Sequence, residues 1–266
     1  MKNSTLFAAC IFLLTIALSC KNEPKTPETS KNAVVGTAQF EKKSGQDCDL
    51  PDTARVSCVE IRLKWPVLKE GNEPLKKSTT DWANAYLVGI LMPEMNSNRA
   101  DSVSIETAAS AFAKMHEEFV KESEGSVMGL WTAESHDTVL LNDGKYLTLR
   151  IEGYTYAGGA HGSPTAAVAT FDVPTGKRLN WDDFVTDKAA LKTLAEKKFR
   201  AERSDAFNEG FEFDETFVFE LPANYGLVSN GIYCQYLPYE VGPYALGGTE
   251  FVLSFVEIGA LSKIKN

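Results

Sequence analysis

Residues 127–156 read VMGLWTAESHDTVLLNDGKYLTLRIEGYTY. Asn142-Asp143-Gly144 is turn chemistry of the kind that joins two antiparallel strands. The flanking runs carry Val, Thr, Tyr, Trp and Ile at strand-like density, so 127–141 and 145–156 are expected as the arms of a long hairpin. Upstream, Val59, Ile61, Leu63 and Trp65 alternate with Glu60, Arg62 and Lys64. That period of two predicts a strand over 56–65, ended by Pro66. Two helices are expected between these strand regions. One covers 78–92, with Trp82, Ala85, Tyr86, Gly89 and Ile90 on one face and Pro93 as its stop. The other covers 104–122, with Ile105, Ala108, Phe112, Met115 and Phe119 as its stripe, Ser104 as N-cap and Gly125 as its close.

Downstream, 165–173 reads as a strand and Pro174-Thr175-Gly176-Lys177 as a turn, with Arg178-Leu179 a short return. Asp182 or Asp183 starts a helical turn. Residues 187–203 form an amphipathic helix with Leu191, Leu194, Ala195 and Phe199 inward. Strands are expected at 216–221, 225–229, 231–237 and 249–256. Hairpins and helices mixed in this order give an α+β fold with antiparallel sheets, not a doubly wound parallel sheet. A break near the glycine-rich 158–164 divides it into two tandem subdomains, 46–162 and 163–266, each an antiparallel sheet packed with helices.

The 266 residues suffice for one large or two small cores. The net charge of −9 and the lack of a basic patch exclude nucleic acid as a partner and favour a basic one.

Lys2 and the apolar run 6–18 form an export signal, too short for the roughly 20 residues of a spanning helix. Residues 1–19 are therefore expected as a signal peptide. Ala17-Leu18-Ser19-Cys20 resembles a bacterial lipobox, with Ala17 where Leu is usual. An ordinary secretory signal with a chance cysteine is the alternative. Lipidation of Cys20 by two or more palmitate-type chains would anchor the protein stably, whereas one chain holds only marginally. Residues 20–45, polar with Pro24 and Pro27, are expected as the lipidated cysteine and a flexible linker. The domain is thus expected in the cell envelope, lipid-anchored to a bacterial membrane. Export favours disulfides. Cys48 and Cys58 bracket a short loop and are the natural pair, worth about 2.5–3 kcal/mol in the chain-entropy model. Cys234, in an apolar strand pattern, is expected as a buried thiol, although its pairing with either of the others stays open.

His161 lies among Gly158, Gly159 and Gly162. Such glycines position a catalytic or binding group, or simply build a loop in which the imidazole bonds nearby backbone. His116-Glu117 begins like a metalloprotease helix, but the position for the second histidine is Val120. His136 is expected to face solvent. No nucleophile elbow, phosphate loop or dinucleotide fingerprint occurs, and no metal or cofactor is expected. Glu212, Asp214 and Glu215 form a charge run of the kind that covers a solvated face. In 237–248, Pro238-Tyr239 and Pro243-Tyr244 flank Glu240. Prolines stiffen such a loop, and tyrosines give contact area at low entropic cost. It is either a protein-binding edge or a corner packing its tyrosines on the sheet.

These stretches, together with Phe171-Asp172-x-x-Thr175-Gly176-Lys177 and Asp182-Asp183-Phe184, resemble the RsiV-like family, which includes the extracellular region of the anti-sigma-V factor and the non-catalytic region of the deacetylase PdaC. The resemblance spans residues 46–262, with Trp65-Pro66 and a helix bearing Asn84 in the first half. It implies two tandem sheet-and-helix subdomains and recognition of lysozyme or cell-wall material, not catalysis. The contact residues it implies are Gly158, Gly159, His161, Tyr239, Glu240, Pro243 and Tyr244, with Glu240 toward cationic groups of the partner. The rivals are a glycan-acting enzyme using His161 with a carboxylate, and a lipoprotein that binds peptidoglycan passively.

Overall fold

The computed structural model of the chain describes residues 31–51, 55, 57–93, 103–122, 130–213 and 217–264. The expected signal peptide, Cys20, Gly125 and part of the 212–215 charge run lie outside these. The architecture is α+β. A five-stranded sheet runs β1 (Val34–Gly45), β2 (Cys58–Glu70), β3 (Trp131–Asn142), β4 (Tyr146–Tyr156), β5 (Ser163–Asp172), in that spatial order. A second sheet holds β6 (Asn224–Val228), β7 (Gly231–Tyr236) and β8 (Thr249–Ser254). All neighbours are antiparallel except β2 and β3, which are parallel. Helices α1 (Glu73–Leu91) and α2 (Ile105–Glu122) carry that crossover.

The central hairpin forms as its turn dictates. Gly144 has φ 83°, and Asp143 Oδ1 accepts from the N–H groups of Lys145 (2.9 Å) and Tyr146 (2.7 Å). The Cys48–Cys58 disulfide is present, with Cα atoms 5.0 Å apart. Cys234 is a free, fully buried thiol whose pKa burial pushes up.

Several expectations are corrected. The linker ends early: Val34–Gly45 pairs along its length with β2. Helix α1 starts at Glu73, not at 78. Asn72 caps it, accepting from Leu75 N at 2.8 Å, with Pro74 in the first turn. β2 passes through Pro66 opposite Thr37. Lys64 N–H points to Ser135 Oγ on β3 (3.1 Å), so the nitrogen of Pro66, two residues on, faces the same side. The β2–β3 ladder has ended there, at Arg62↔Glu134, and the proline removes no hydrogen bond from it. The break expected near 158–164 falls inside the first sheet, since β4 and β5 pair across it from Tyr146↔Asp172 to Thr155↔Ser163. Residues 217–222 form no strand. Phe219 is buried against Phe199 and Tyr236, and the Tyr236 hydroxyl donates to Glu220 O, so the stretch packs on the core without a ladder. The last expected strand ends at Ser254, which caps a helical turn, Phe255–Ile258.

Two cores flank the first sheet. Helices α1 and α2 cover one face with Leu87, Leu91 and Phe112 against Ile61, Leu63 and Ala133, and with Trp82 against Leu149 and Phe171. The second sheet packs on the same molecule through β5 and β6. Thr170 Oγ1 accepts from Leu227 N at 2.9 Å, and a Cβ on Gly226 would fall 2.6 Å from the Thr148 methyl. Helix α3 (Trp181–Phe184) seals this junction, and α4 (Lys188–Glu202) covers the outer face of the second sheet with Leu191, Ala195 and Phe199. Helix α4 lies where the sequence places it, and α3 begins at Trp181, capped by Asn180, just before the expected start at Asp182 or Asp183.

Candidate functional site

Two of the four motifs serve this packing. The Asp172 carboxylate accepts from Thr175 N (2.9 Å) and Thr175 Oγ1 (2.5 Å), closing the turn after β5. Gly176 has φ 71°, and a Cβ there would lie 2.4 Å from Leu75 N. The turn therefore docks against the first turn of α1, where Asn72 Nδ2 donates to Val173 O at 2.8 Å. Asp183 closes a capping box with Asn180, accepting from its N–H at 2.9 Å, and pairs with Lys177. The Lys177 ammonium and that N–H hold the Asp183 carboxyl below its ordinary range. Phe184 is fully buried.

The other two motifs reach the surface and meet. The loop 157–162 joins β4 to β5, and Gly158 and Gly159 take φ 86° and 94° there. Gly158 faces inward, where a Cβ would meet Trp131 Nε1 at 3.5 Å, while Gly159 faces open space. At Gly162 a Cβ would fall 2.7 Å from the backbone Thr155 O as well as on the Tyr154 ring, so the site favours glycine. The loop 237–248 joins β7 to β8. Val241 is buried and anchors it, and Pro243 leads into a 3₁₀ turn at Tyr244–Leu246.

His161 stacks on Tyr244, ring centroids 3.9 Å apart at 18°. Its Nδ1–H donates to Gly162 O (3.0 Å), which leaves Nε2 to accept from Tyr239 OH (3.3 Å). Tyr244 OH also donates to Gly162 O, at 3.3 Å. Tyr239 is 65% exposed and has φ 73°, the one left-handed non-glycine backbone among the described residues. That conformation costs about 1–2 kcal/mol for an L-residue. The angle is that of the third residue of the Leu237–Glu240 turn, with Pro238 second and Glu240 N–H donating to Leu237 O at 3.1 Å, and the turn presents the Tyr239 ring to His161.

The residues singled out from sequence thus come together, with one change. Glu240 is exposed, but its carboxylate is engaged within the loop. Its carboxylate accepts from the N–H groups of Leu237 and Ala223 and holds the loop's own turn. No carboxylate contacts His161 among the described residues, so an acid–base pair built on it lacks its second member. His116 is buried on α2, edge-on to Trp131 at 5.2 Å, and burial lowers its pKa. No three His, Cys, Asp or Glu side chains cluster as a metal site among the described residues. No described helix is long and apolar enough to cross a membrane.

What sequence reading missed lies between the sheets. Glu152, Gln235 and Glu250 meet there although they are far apart along the chain. Gln235 and Glu250 are opposed partners on β7 and β8, and the stacking of the two sheets brings Glu152 to them.

An α+β body of two sheets with a shared loop cluster defines a class of domain, and the comparisons show what the chain is similar to. Residues 54–164 match the family model described as deacetylase PdaC, and 182–255 match the model described as a protein of unknown function, DUF3298. The RsiV-like resemblance read from the motifs is borne out by this pair. The first match ends where the tandem division was expected, although the sheet itself runs on to Asp172. A solved DUF3298 family structure from Bacteroides fragilis is 21% identical, covers 88% of this chain and 96% of its own, and has a TM-score of 0.66. A DUF3298 family protein from Pseudomonas aeruginosa is 14% identical with the same coverage and a TM-score of 0.61. At these identities the likeness is one of fold. No curated protein matches.

Proposed function

We propose that this is a lipid-anchored extracytoplasmic binding protein that captures lysozyme-like muramidases. Tyr239, Pro243 and Tyr244 make the contact, and the loop with Gly158, Gly159 and His161 supports them. One observation carries the reading: loops from two different sheets join into a single exposed aromatic patch. Its tyrosines are stiffened by proline, by the His161 stack and by Glu240, so little entropy is lost on binding. The acidic balance of the chain favours a basic partner. The PdaC and DUF3298 matches support a domain that recognises and does not catalyse. Lysozyme as the ligand and the lipid anchor on Cys20 rest on the sequence resemblances.

The test is calorimetric titration of the whole chain with a panel of purified lysozymes at physiological salt. The whole chain is used because β1 belongs to the sheet. Saturable one-to-one binding is expected. No heat from any lysozyme, with the protein folded, overturns lysozyme capture and directs the search to cell-wall fragments.

A further inference from the structure

A groove of about 390 Å³ opens where β4 and β5 face β7 and β8. Glu152, Tyr154, Pro164, Gln235, Pro238 and Glu250 line it. Among the described lining residues the carboxylates are Glu152 and Glu250, and the other titratable groups are His136, Tyr154 and Tyr236. Glu152 is well held. Its Oε2 meets Arg150 Nη2 (3.0 Å) and His136 Nε2 (3.2 Å), and its Oε1 accepts from Gln235 Nε2 (3.2 Å). Glu250 is the more exposed of the two, and the Tyr233 hydroxyl also hydrogen-bonds to it. Glu250 accepts from Gln235 Nε2 at 3.1 Å and meets Arg150 Nη1 at 3.3 Å, and its side chain is 47% exposed.

One guanidinium, Arg150, thus serves two carboxylates, and its Nη1 also donates to Tyr233 OH (2.7 Å). Arg203 is held at the far end, where its Nε donates to Thr249 Oγ1 (2.6 Å). The groove floor keeps an excess of negative charge at Glu250. Gln235, 5% exposed, spends its amide nitrogen on the two carboxylates, and its Oε1 has no donor among the described residues. Tyr154, 41% exposed, supplies an aromatic wall.

We infer that this groove is a cation site that takes the guanidinium of an arginine side chain presented by the partner. A planar fork of N–H donors pairs with a carboxylate and stacks on an aromatic ring, and it sheds water more readily than an ammonium. The carboxylate is Glu250 and the ring is Tyr154. Position argues for a protein partner. Pro164 follows the His161 loop and Pro238 precedes Tyr239, so the groove opens beside the aromatic patch. The inference rests on the binding role proposed above and names the chemistry it selects.

The test has two arms. In the first, the whole chain is titrated with Nα-acetyl-arginine methylamide and with its lysine and citrulline counterparts, followed by NMR. Saturable shifts at His136, Gln235 and Glu250 are expected for arginine. Binding should be about fivefold weaker for neutral citrulline, and Glu250→Gln should weaken arginine binding to a similar extent. Equal binding of citrulline, or arginine binding unchanged in both Glu250→Gln and Tyr154→Leu, overturns the site. In the second arm, capture of a basic lysozyme is compared among variants. Loss in Tyr239→Ala/Tyr244→Ala with no change in Glu250→Gln removes the arginine site and leaves the aromatic surface standing. Arginine binding without any lysozyme capture leaves the site standing and removes lysozyme as the partner.

Discussion

Gly176 and Gly159 both lie at positive φ, 71° and 94°, in motifs of similar appearance, but they sit in opposite surroundings. Gly176 presses on the backbone of α1, with Leu75 N 2.4 Å from where its Cβ would be. Nothing lies within 4 Å of the same point at Gly159. The turn at Asp172–Lys177 is therefore a joint between β5 and α1. The loops at 157–162 and 237–248 are a surface whose own aromatic rings hold it in shape. A motif conspicuous in sequence is evidence of constraint, and the structure tells which constraint applies. Packing accounts for the joint; at Tyr239 the positive φ belongs to the Leu237–Glu240 turn, closed by Glu240 N–H to Leu237 O at 3.1 Å, and what the fold's interior does not use is the exposed ring that this turn presents.

The contrast can be broken or sharpened by substitution. Phe171→Ala, in the joint, removes a fully buried ring that meets Trp82 edge-on at 5.9 Å. It should cost about 3–5 kcal/mol in denaturant unfolding. Gly176→Ala should cost about 2–4 kcal/mol, since a clash with backbone adds to an unfavourable φ. If either were neutral, the joint would not be structural. Tyr239→Ala with Tyr244→Ala should leave the unfolding midpoint within about 1 kcal/mol of the parent, yet weaken partner capture by about tenfold or more. A large stability loss there would make the loop a packed corner instead. Gly159→Ala should cost only about 1 kcal/mol, from its backbone angle alone.

Acid should act on the framework through its depressed carboxyls. Asp183 is held low by Lys177, Glu60 by its hydrogen bond from Lys43, with Arg62 adding to it against the opposing effect of burial, and Glu257 by the Ser254 cap. Each depressed carboxyl contributes stability that is present above its unfolded value, 3.8 for Asp183 and 4.5 for the glutamates. That stability is lost as pH falls through the lower folded value. Unfolding free energy measured between pH 6 and pH 3 should therefore decline toward acid. Asp183→Asn should flatten part of that decline, and a profile unchanged by Asp183→Asn would contradict the assignment.

Much of this organisation was legible in the sequence. The Asn142-Asp143-Gly144 turn, the Ser104 cap and the stripe on α4 report local geometry, and local geometry is what a sequence writes plainly. Strand β1 was not legible, because it is an edge strand that never buries a full face. Its alternation is weak, and it is held by its ladder to β2. The start of α1 was missed although Asn72-Glu73-Pro74 is cap chemistry, since the apolar stripe begins only with Leu75. Pro66 misled because its effect depends on which side its nitrogen faces. The aromatic patch was visible as two separate loops but not as one surface. The groove was invisible, since Glu152 and Glu250 sit on different sheets.

The central claim is that two loops from two sheets form one recognition surface while the joint only holds them. Hydrogen exchange on the whole chain, with and without a saturating basic lysozyme, tests it directly. The expected result is slowed exchange confined to 157–162 and 237–248, with 172–177 unchanged. Protection that omits either loop, or that centres on the joint, would contradict it.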